Sequence, residues 1–483
     1  MTMPAEAADP TPASGSELCY LPALDLRDRY RRGELSPVEV TAAVLDRIDA
    51  LQPRLNAFVT VTRDHALEQA RAAERAYRDG SAGPLAGIPL SLKDLVPTRG
   101  VRTTMGSLLR QDWVPDFDAP VVERLLGAGG VLLGKTNTPE YGWKGETSNR
   151  VSGTTHNPWR HGRTPGGSSG GAAAAVAAGL GPIAQGSDGA GSIRIPSSFS
   201  GIFGIKPSFG LVPQYPASAV ELLSHVGPMT RTVRDAALML AVMAGADPRD
   251  PHSWSQPCDY LAQLQEEPER PAGPVRVAWS PDLGTATVDP EVARLTAAAA
   301  QRFGELGYEV EEAGPDVADP WGLMDVLWCV GEAGVHGALF PEVRGDLDPG
   351  LAAIIDTAQT YRALDVAAAL RARLDYYHGM RAFMERYDLL LTPTMPLPAF
   401  AAGLDQPDRI GDTALDAGLS WTPFTYPFNL TGQPAATVPC GFTGDGLPVG
   451  LQIVGRRRCD STVLAAAAAF EAAHPWAHHR PPL

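Results

Sequence analysis

Residues 166–208 constrain this chain more than any other stretch, because they contain two glycine-rich turns that each carry a serine. Ser168 lies in the first turn and Ser192 in the second, and the alanine-rich segment 169–178 predicts a helix that begins at the first turn. Glycine lets the backbone approach other groups closely, so backbone N–H groups can surround each hydroxyl. Preorganised N–H groups stabilise the oxyanion of acyl transfer. The stretch therefore predicts a serine-dependent acyl-transfer site.

A lysine in an apolar setting, Lys93, lies upstream in the run GIPLSLKDLV. Burial in such a setting lowers the pKa of a lysine from its free value of about 10.4. A neutral lysine can act as a general base, the role that histidine plays in many serine hydrolases. The neighbouring Asp94 would oppose this shift if it pointed inward, and we expect it to point away. The combination predicts a serine hydrolase with a lysine base.

These residues resemble the amidase signature family. Its Gly/Ser-rich block matches residues 166–171 and 187–196, and its lysine element matches residues 89–94. Further matches at 134–137, 204–207 and 427–434 extend the resemblance from about residue 20 almost to the C-terminus. The resemblance implies an α/β amidase-signature fold, with a central mixed, twisted β-sheet covered by helices on both faces. It also implies an enzyme that hydrolyses amide C–N bonds.

The resemblance assigns roles residue by residue. Ser192 is the expected nucleophile, Ser168 the bridging hydroxyl in a cis peptide, and Lys93 the terminal base. The expected oxyanion donors are the backbone N–H groups of Gly189, Ala190, Gly191 and Ser192. The expected supporting residues are Ser169, Asp188 and Arg194. The chain departs from the family pattern at Ala190, where glycine is usual, and at Ser187, where threonine is usual, which leaves its substrate preference open.

Within the family the chain is similar to small-molecule amidases, including aryl acylamidases, urethane-cleaving enzymes and hydrolases of cyclic nylon dimers. This similarity implies small amides as substrates, with carbamates and esters as further candidates. The alternative within the family is the amidase-like component of a glutamine-dependent tRNA amidotransferase, which needs partner subunits. An alternative of a different functional class is a non-catalytic or subunit role in a complex that retains the fold, although an intact Lys93, Ser168 and Ser192 set argues against that role. Candidate pocket residues, for which core packing is an equal explanation, are Tyr141, Trp143, Trp328, Cys329 and Phe424.

Apolar periodicity predicts strands that alternate with helices, which is typical of an α/β fold. Predicted helices lie at 37–48, 68–77, 169–178 and 290–306. Predicted strands lie at 85–92, 131–133, 275–279, 308–311, 387–391 and 449–454. We expect a disordered N-terminal tail at 1–18 and a single domain at 19–483. Within that domain we expect the catalytic core at about 80–245 and a helical substrate-pocket region at about 312–420.

Composition and net charge limit the classes of partner and cofactor that we expect for this chain. The net charge of −15 argues against nucleic acid, which requires a basic surface. No run of apolar residues is long enough for a membrane helix, and the start of the chain lacks a signal peptide, so we expect a cytoplasmic protein. Five widely spaced cysteines indicate neither a disulfide framework nor a zinc site. We therefore expect no metal and no cofactor, and we consider a homodimer.

Two short motifs fit other enzyme classes. The pattern Gly166-x-Ser168-x-Gly170 matches the nucleophile elbow of α/β-hydrolases, but no histidine or acidic partner is marked. Residues 129–136 match the phosphate-binding loop pattern, but their middle is an apolar strand. Both matches are short and occur by chance in many chains, so we do not adopt them.

Overall fold

The computed structural model describes residues 15–256, 258–264, 275–336, 340–415 and 418–483. Its strands are β1 Phe58–Val61, β2 Pro89–Lys93, β3 Val131–Thr136, β4 Ser148–Asn149, β5 Gly153–Thr154, β6 Ile183–Asp188, β7 Phe203–Lys206, β8 His225–Thr230, β9 Arg276–Trp279, β10 Glu309–Glu312, β11 Leu389–Pro393, β12 Arg409–Ile410, β13 Thr413–Ala414, β14 Ala435–Phe442 and β15 Pro448–Gly455. Its helices are α1 Gly15–Leu18, α2 Ala23–Arg32, α3 Pro37–Leu55, α4 Arg63–Asp79, α5 Pro120–Gly127, α6 Gly170–Ala177, α7 Arg194–Ser200, α8 Val233–Met243, α9 Tyr260–Gln263, α10 Pro290–Glu305, α11 Trp321–His336, α12 Pro349–Ala358, α13 Ala363–Met384, α14 Tyr426–Thr431 and α15 Asp460–Ala473.

Eleven of these strands form one mixed sheet. Their order is β1-β3-β2-β6-β8-β7-β14-β15-β11-β9-β10. Strand β2 runs parallel to both β3 and β6, whereas β6 and β8 are antiparallel, as are β14 and β15. A large mixed sheet flanked by helices confirms the predicted fold class.

The inner strands are buried over their whole length, as their sequences require. Every residue of β2, β3 and β11 is buried, because helices cover both faces of the sheet there. The alanine-rich α6 is also buried at every position, and its small side chains allow it to lie deep in the molecule. The sheet and α6 together provide the rigid frame that supports the two glycine-rich turns.

Three local expectations from the sequence can be compared with the structure. Helix α3 begins at Pro37, and the Ser36 hydroxyl accepts a hydrogen bond from the Val38 N–H at 3.1 Å. The phosphate-loop match at 129–136 contains the buried strand β3, which leaves no flexible loop for a phosphate. Within the described ranges, no helix combines the length and apolar character needed to cross a membrane.

The boundaries of two predicted regions differ from the secondary structure. Residues 1–14 of the expected tail lie outside the described residues, and its last four residues form α1. The expected helical region at 312–420 contains α11, α12 and α13, but it also contains β11. Strand β11 pairs with β9 and β15 inside the main sheet, so this region contributes to the core as well as to the cavity described below.

Candidate active site

Strands β2 and β6 bring the lysine and the second serine turn together. The two strands are parallel, so their carboxyl ends lie at the same edge of the sheet, where ligands bind in open α/β folds. Lys93 is the last residue of β2, and Asp188 is the last residue of β6. The Lys93 backbone N–H donates to Gln185 Oε1 at 3.1 Å and fixes this alignment.

The Lys93 side chain is fully buried and contacts two serine hydroxyls. Its Nζ lies 2.7 Å from Ser168 Oγ and 3.0 Å from Ser187 Oγ. Burial lowers the pKa of Lys93 to about 7, although the charge of Asp188 opposes this shift. Asp94 points away, as expected, and accepts hydrogen bonds from the backbone and hydroxyl of Thr104. Near neutral pH, a large fraction of Lys93 is therefore able to accept a proton.

The first serine turn fits closely against its surroundings. The Gly167–Ser168 peptide is cis, as the resemblance implies. A Cβ atom at Gly167 would lie 2.5 Å from the backbone oxygen of Glu146, so a larger residue would not fit there. The Ser169 N–H donates to the Ser192 carbonyl at 3.2 Å and joins the two turns. The supporting role of Ser169 stays a prediction, and this contact is the structural basis for it.

The two serine hydroxyls are adjacent to one cavity but are not hydrogen-bonded to each other. Both Ser168 and Ser192 line the cavity, and each is almost completely buried. The described residues include no hydrogen bond between Ser168 Oγ and Ser192 Oγ. Catalytic hydrogen bonds are often long in a ligand-free site and shorten when substrate binds. A proton relay through both hydroxyls therefore requires that the two oxygens come within hydrogen-bond distance when substrate binds.

The second serine turn folds around the Asp188 carboxylate. Asp188 accepts hydrogen bonds from the N–H groups of Gly191 at 2.7 Å and Ile193 at 3.2 Å. The Gly191 N–H is therefore already paired, which removes it from the predicted oxyanion donors. The N–H groups of Gly189, Ala190 and Ser192 have no acceptor within the described part of the chain. These three remain the candidate donors.

A buried ion pair holds this turn in place. Arg194 Nε and Nη2 donate to the two Asp188 carboxylate oxygens, each at 2.9 Å, and both side chains are fully buried. Burial raises the pKa of Asp188, but the charge and hydrogen bonds of Arg194 outweigh it and hold this pKa well below its usual range. Asn429 Nδ2 donates to the Asp188 carboxylate and backbone oxygens, each at 2.9 Å. Asp188 and Arg194 thus hold the turn in its observed shape, and their supporting role in catalysis stays a prediction.

A cavity of about 620 Å³ opens onto these residues. Its floor contains Ser168, Ser187, Gly189 and Ser192, and most of its wall is apolar or aromatic. Further residues of the wall include Leu95, Met105, Trp113, Phe117, Tyr215, Val220, Val226 and Val335. This size and lining suit a small, largely apolar organic molecule.

Two of the five candidate pocket residues line this cavity, namely Tyr141 and Trp328. The other three are absent from its lining. Trp143 packs in a separate apolar cluster with α12, and Phe424 is completely buried. Cys329 is buried on α11 with its thiol 3.7 Å from Asp325 Oδ1, and burial, with Asp325, raises the pKa of this thiol to about 12. Aromatic character alone did not separate cavity residues from core residues.

Four residues of the site were not selected from the sequence. Ser187 contacts Lys93, and Asn429 holds the Asp188 turn. Glu332 and His336 line the cavity on α11. Ser187 and Asn429 lie inside matched motifs, which was a usable signal, whereas the positions of Glu332 and His336 carry none. No cluster of His, Cys, Asp or Glu suited to a metal ion occurs in the ranges that the structure describes.

Comparisons with known proteins identify relatives over almost the whole chain. The family model for amidases matches residues 39–464. An acylamidase from Rhodococcus erythropolis is 43% identical over 469 residues, covering 96% of this chain and 98% of that protein. One of the subunits of the glutamyl-tRNA(Gln) amidotransferase from Moorella thermoacetica is 39% identical over 497 residues, covering 97% of this chain and 99% of the relative.

Solved structures are also similar to this chain over almost its whole length. A bacterial aryl acylamidase superposes with a TM-score of 0.88 at 33% identity, covering 95% of this chain and 98% of that one. A 6-aminohexanoate cyclic dimer hydrolase with bound substrate superposes with a TM-score of 0.86 at 31% identity, covering 96% and 99% of the two chains. This chain belongs to the amidase signature family and is a hydrolase that cleaves amide bonds.

Proposed function

We propose that this chain is a serine amidase that hydrolyses small amides through an acyl-enzyme on Ser192, with Ser168 and Lys93 as its proton relay. The observation that carries this proposal is the contact of 2.7 Å between the buried Lys93 Nζ and Ser168 Oγ at the floor of the cavity. A buried amine with a pKa near 7 is a suitable base for a hydroxyl at neutral pH.

Acylation begins with proton transfer along the relay. Neutral Lys93 accepts the Ser168 proton, Ser168 accepts the Ser192 proton, and Ser192 Oγ forms a bond to the substrate carbonyl carbon. The negative charge develops on the carbonyl oxygen, where the unpaired N–H groups of the Gly189 turn can stabilise it. Asp188 and Arg194 hold that turn in place and act as positioning residues.

The relay then runs in reverse to break the amide. As the C–N bond breaks, the Ser168 hydroxyl donates its proton to the leaving nitrogen, and Lys93 returns a proton to Ser168. The amine departs and leaves the acyl group on Ser192. Water then donates a proton into the same relay, attacks the acyl carbon and releases the carboxylic acid, which restores Ser192.

The cavity supports aryl and alkyl amides as substrates. Its mostly apolar wall can desolvate a hydrocarbon or aromatic group, which contributes about 25 cal/mol for each Å² that leaves water. A carbamate or an ester presents the same carbonyl to Ser192 and is a further candidate. The similarity to a component of a tRNA amidotransferase keeps a second function open, in which the chain needs partner subunits.

Release of 4-nitroaniline from 4-nitroacetanilide by the purified chain alone tests this proposal. We expect release by the wild type and a loss of at least about 1,000-fold in the single variants Ser192→Ala, Ser168→Ala and Lys93→Ala. Ser81→Ala, at an exposed serine outside the cavity, is the control and should keep full activity. No release by the wild type would favour the amidotransferase alternative, and full activity of any relay variant would overturn the mechanism.

A further inference from the structure

One wall of the cavity carries three side chains with polar atoms, at regular spacing along a helix. Trp328, Glu332 and His336 all line the cavity and lie four residues apart on α11. A spacing of four residues places the three side chains on one face of a helix. The rise of about 1.5 Å per residue places Glu332 about 6 Å, and His336 about 12 Å, along the axis from Trp328.

Each of these residues carries a buried polar atom without a partner. Trp328, Glu332 and His336 are 5%, 2% and 5% exposed, respectively. Within the described residues, Trp328 Nε1, Glu332 Oε2 and His336 Nε2 make no hydrogen bond. Buried polar groups nearly always have partners, because an unpaired one costs about 1–3 kcal/mol. Three such atoms on one cavity wall are positions where polar groups of a ligand, or water in its absence, would supply the partners.

The wall begins at the reaction centre. A Cβ atom on Gly189 would lie 3.2 Å from Trp328 Cζ3, so the indole ring lies against the expected oxyanion turn. At the other end, the His336 ring contacts the Tyr141 ring, with centroids 4.4 Å apart. A substrate group that reaches Glu332 therefore lies about one helical turn beyond the carbonyl that is cleaved.

The charge state of this wall determines which kind of substrate group it can bind. Burial, with the nearby Glu140, raises the pKa of Glu332 to about 8, and burial lowers the pKa of His336. At pH 7 the wall therefore offers an indole N–H, a carboxylic acid and a neutral imidazole. Arg110 also lines the cavity, but it is exposed and lies over the Trp113 ring at 5.0 Å. A neutral wall accepts a neutral donor and acceptor more readily than an ion, whose burial is costly.

The direction of the wall selects the part of the substrate. The leaving nitrogen must lie at Ser168 to receive its proton, and a Cβ atom at Gly142 would lie 3.2 Å from Ser168 Oγ. The amine part is therefore bound near Gly142, which is next to the His336 end of the wall at Tyr141. The acyl part is bonded to Ser192 beside the Gly189 turn, so Trp328 and then Glu332 are the first residues of the wall that an acyl chain meets.

From these observations we propose that Glu332, together with Trp328 and His336, binds a second, neutral carboxamide-type group in the acyl part of the substrate. This inference rests on the proposed function and names its substrate class. A carboxylic acid and a carboxamide pair through two hydrogen bonds, one donated by each group. Glu332 thus acts as a specificity-determining residue and takes no part in bond cleavage.

Four 4-nitroanilides that share one scissile bond test this proposal at pH 7. Their acyl chains are matched in length and end in a carboxamide, an isopropyl group, a carboxylate or an ammonium group. We expect kcat/KM for the carboxamide to exceed that for the isopropyl analogue by about tenfold or more, as one hydrogen-bonded pair allows. Equal values for these two substrates, or a preference for either ion, would overturn the proposal.

Variants of α11 test whether the preference for the carboxamide substrate depends on Trp328 and Glu332. Glu332→Leu should lower kcat/KM for the carboxamide substrate to the value for the isopropyl analogue. It should leave kcat/KM for the isopropyl analogue within about threefold of wild type. Trp328→Phe, which keeps a ring but loses the N–H, should remove part of the preference. Gly334→Ala on the same helix, where an added Cβ meets nothing within 4 Å, should change neither substrate.

The remaining outcomes separate this inference from the proposed function. An equal loss on all four substrates in Glu332→Leu would contradict a specificity role. An undiminished preference in both Glu332→Leu and Trp328→Phe would also contradict it. Failure of the wild type to release 4-nitroaniline from any of the four would instead contradict the proposed function, and the inference would fall with it.

Discussion

The amine nitrogen of Lys93 lies 2.7 Å from the Ser168 hydroxyl oxygen, and neither side chain belongs to the same turn as Ser192. Strand β2 supplies the lysine, the Gly167–Ser168 turn supplies the first hydroxyl, and the end of β6 leads to the second. The sheet therefore sets the position of the base relative to both hydroxyls. Changes to the base, to the turns or to the residues that hold them should each have a measurable effect.

The pH dependence of kcat/KM should follow Lys93. Its pKa of about 7 means that the neutral base increases as pH rises through 7, so kcat/KM should rise about tenfold between pH 6 and pH 8. Lys135 is a second buried lysine, with a pKa lowered to about 8 by burial, and its Nζ donates to Thr98 and Thr103 away from the cavity. Lys135→Met should keep the inflection near pH 7. A flat profile between pH 6 and 9 with chemistry rate-limiting, or loss of the inflection in Lys135→Met, would contradict this assignment.

Stability should depend on pH through the same group. Between pH 7 and about 10 the unfolded chain binds a proton at Lys93 that the folded chain does not, so stability rises with pH. This contribution is about 1.4 kcal/mol per pH unit. Lys93→Met lacks it, so its stability advantage over wild type should be larger at pH 7.5 than at pH 9.5. Urea unfolding at both pH values measures the two differences, and a constant advantage would argue against a buried neutral lysine.

Asp188→Asn should be strongly destabilising. The change leaves Arg194 fully buried without its counter-charge, which costs about 3–5 kcal/mol in the free energy of unfolding. Asp445→Asn is the matched control, because Asp445 forms an exposed ion pair with Arg160. Exposed pairs contribute about 0–1 kcal/mol. Chemical denaturation compares the two variants, and similar losses in both would show that the buried pair has no special role.

Two substitutions in the second serine turn should differ greatly in their effect on kcat. Ala190→Gly removes one buried methyl group, which costs about 1 kcal/mol and should leave kcat within about threefold. Gly191 has a φ of 128°, and a Cβ there would lie 2.5 Å from Thr425 Oγ1. Gly191→Ala should therefore displace the turn and lower kcat at least about 100-fold. Hydrolysis of 4-nitroacetanilide measures both, and an active Gly191→Ala enzyme would argue against a turn that requires this geometry.

The sequence predicted the parts of the site that depend on local chemistry. Lys93 ends an apolar strand, and Ser168 and Ser192 lie in glycine-rich turns, so both burial and backbone approach could be read from neighbouring residues. The burial of Lys93 and the close backbone approach at the two turns are short in range, and a single strand or turn determines each of them. The contact of Ser187 with Lys93 is different, because it joins β6 to β2 between residues 94 positions apart in the sequence.

The remaining features depend on packing between distant segments. Trp143 and Trp328 look alike in sequence, yet the first packs against α12 and the second against the Gly189 turn. The spacing of Trp328, Glu332 and His336 indicates a helix face but not what that face meets. The Gly191 N–H was expected to be free, but the fold of the turn directs it to Asp188.

Covalent trapping of the enzyme tests the central claim most directly. Reaction with a 4-nitrophenyl N,N-dialkylcarbamate should leave a slowly hydrolysed carbamoyl group on the nucleophile, which peptide mapping by mass spectrometry can locate. We expect one equivalent on Ser192, none in Ser192→Ala, and much slower labelling in Lys93→Met. A label on Ser168 or on another residue, or labelling of Lys93→Met at the wild-type rate, would contradict the proposed relay.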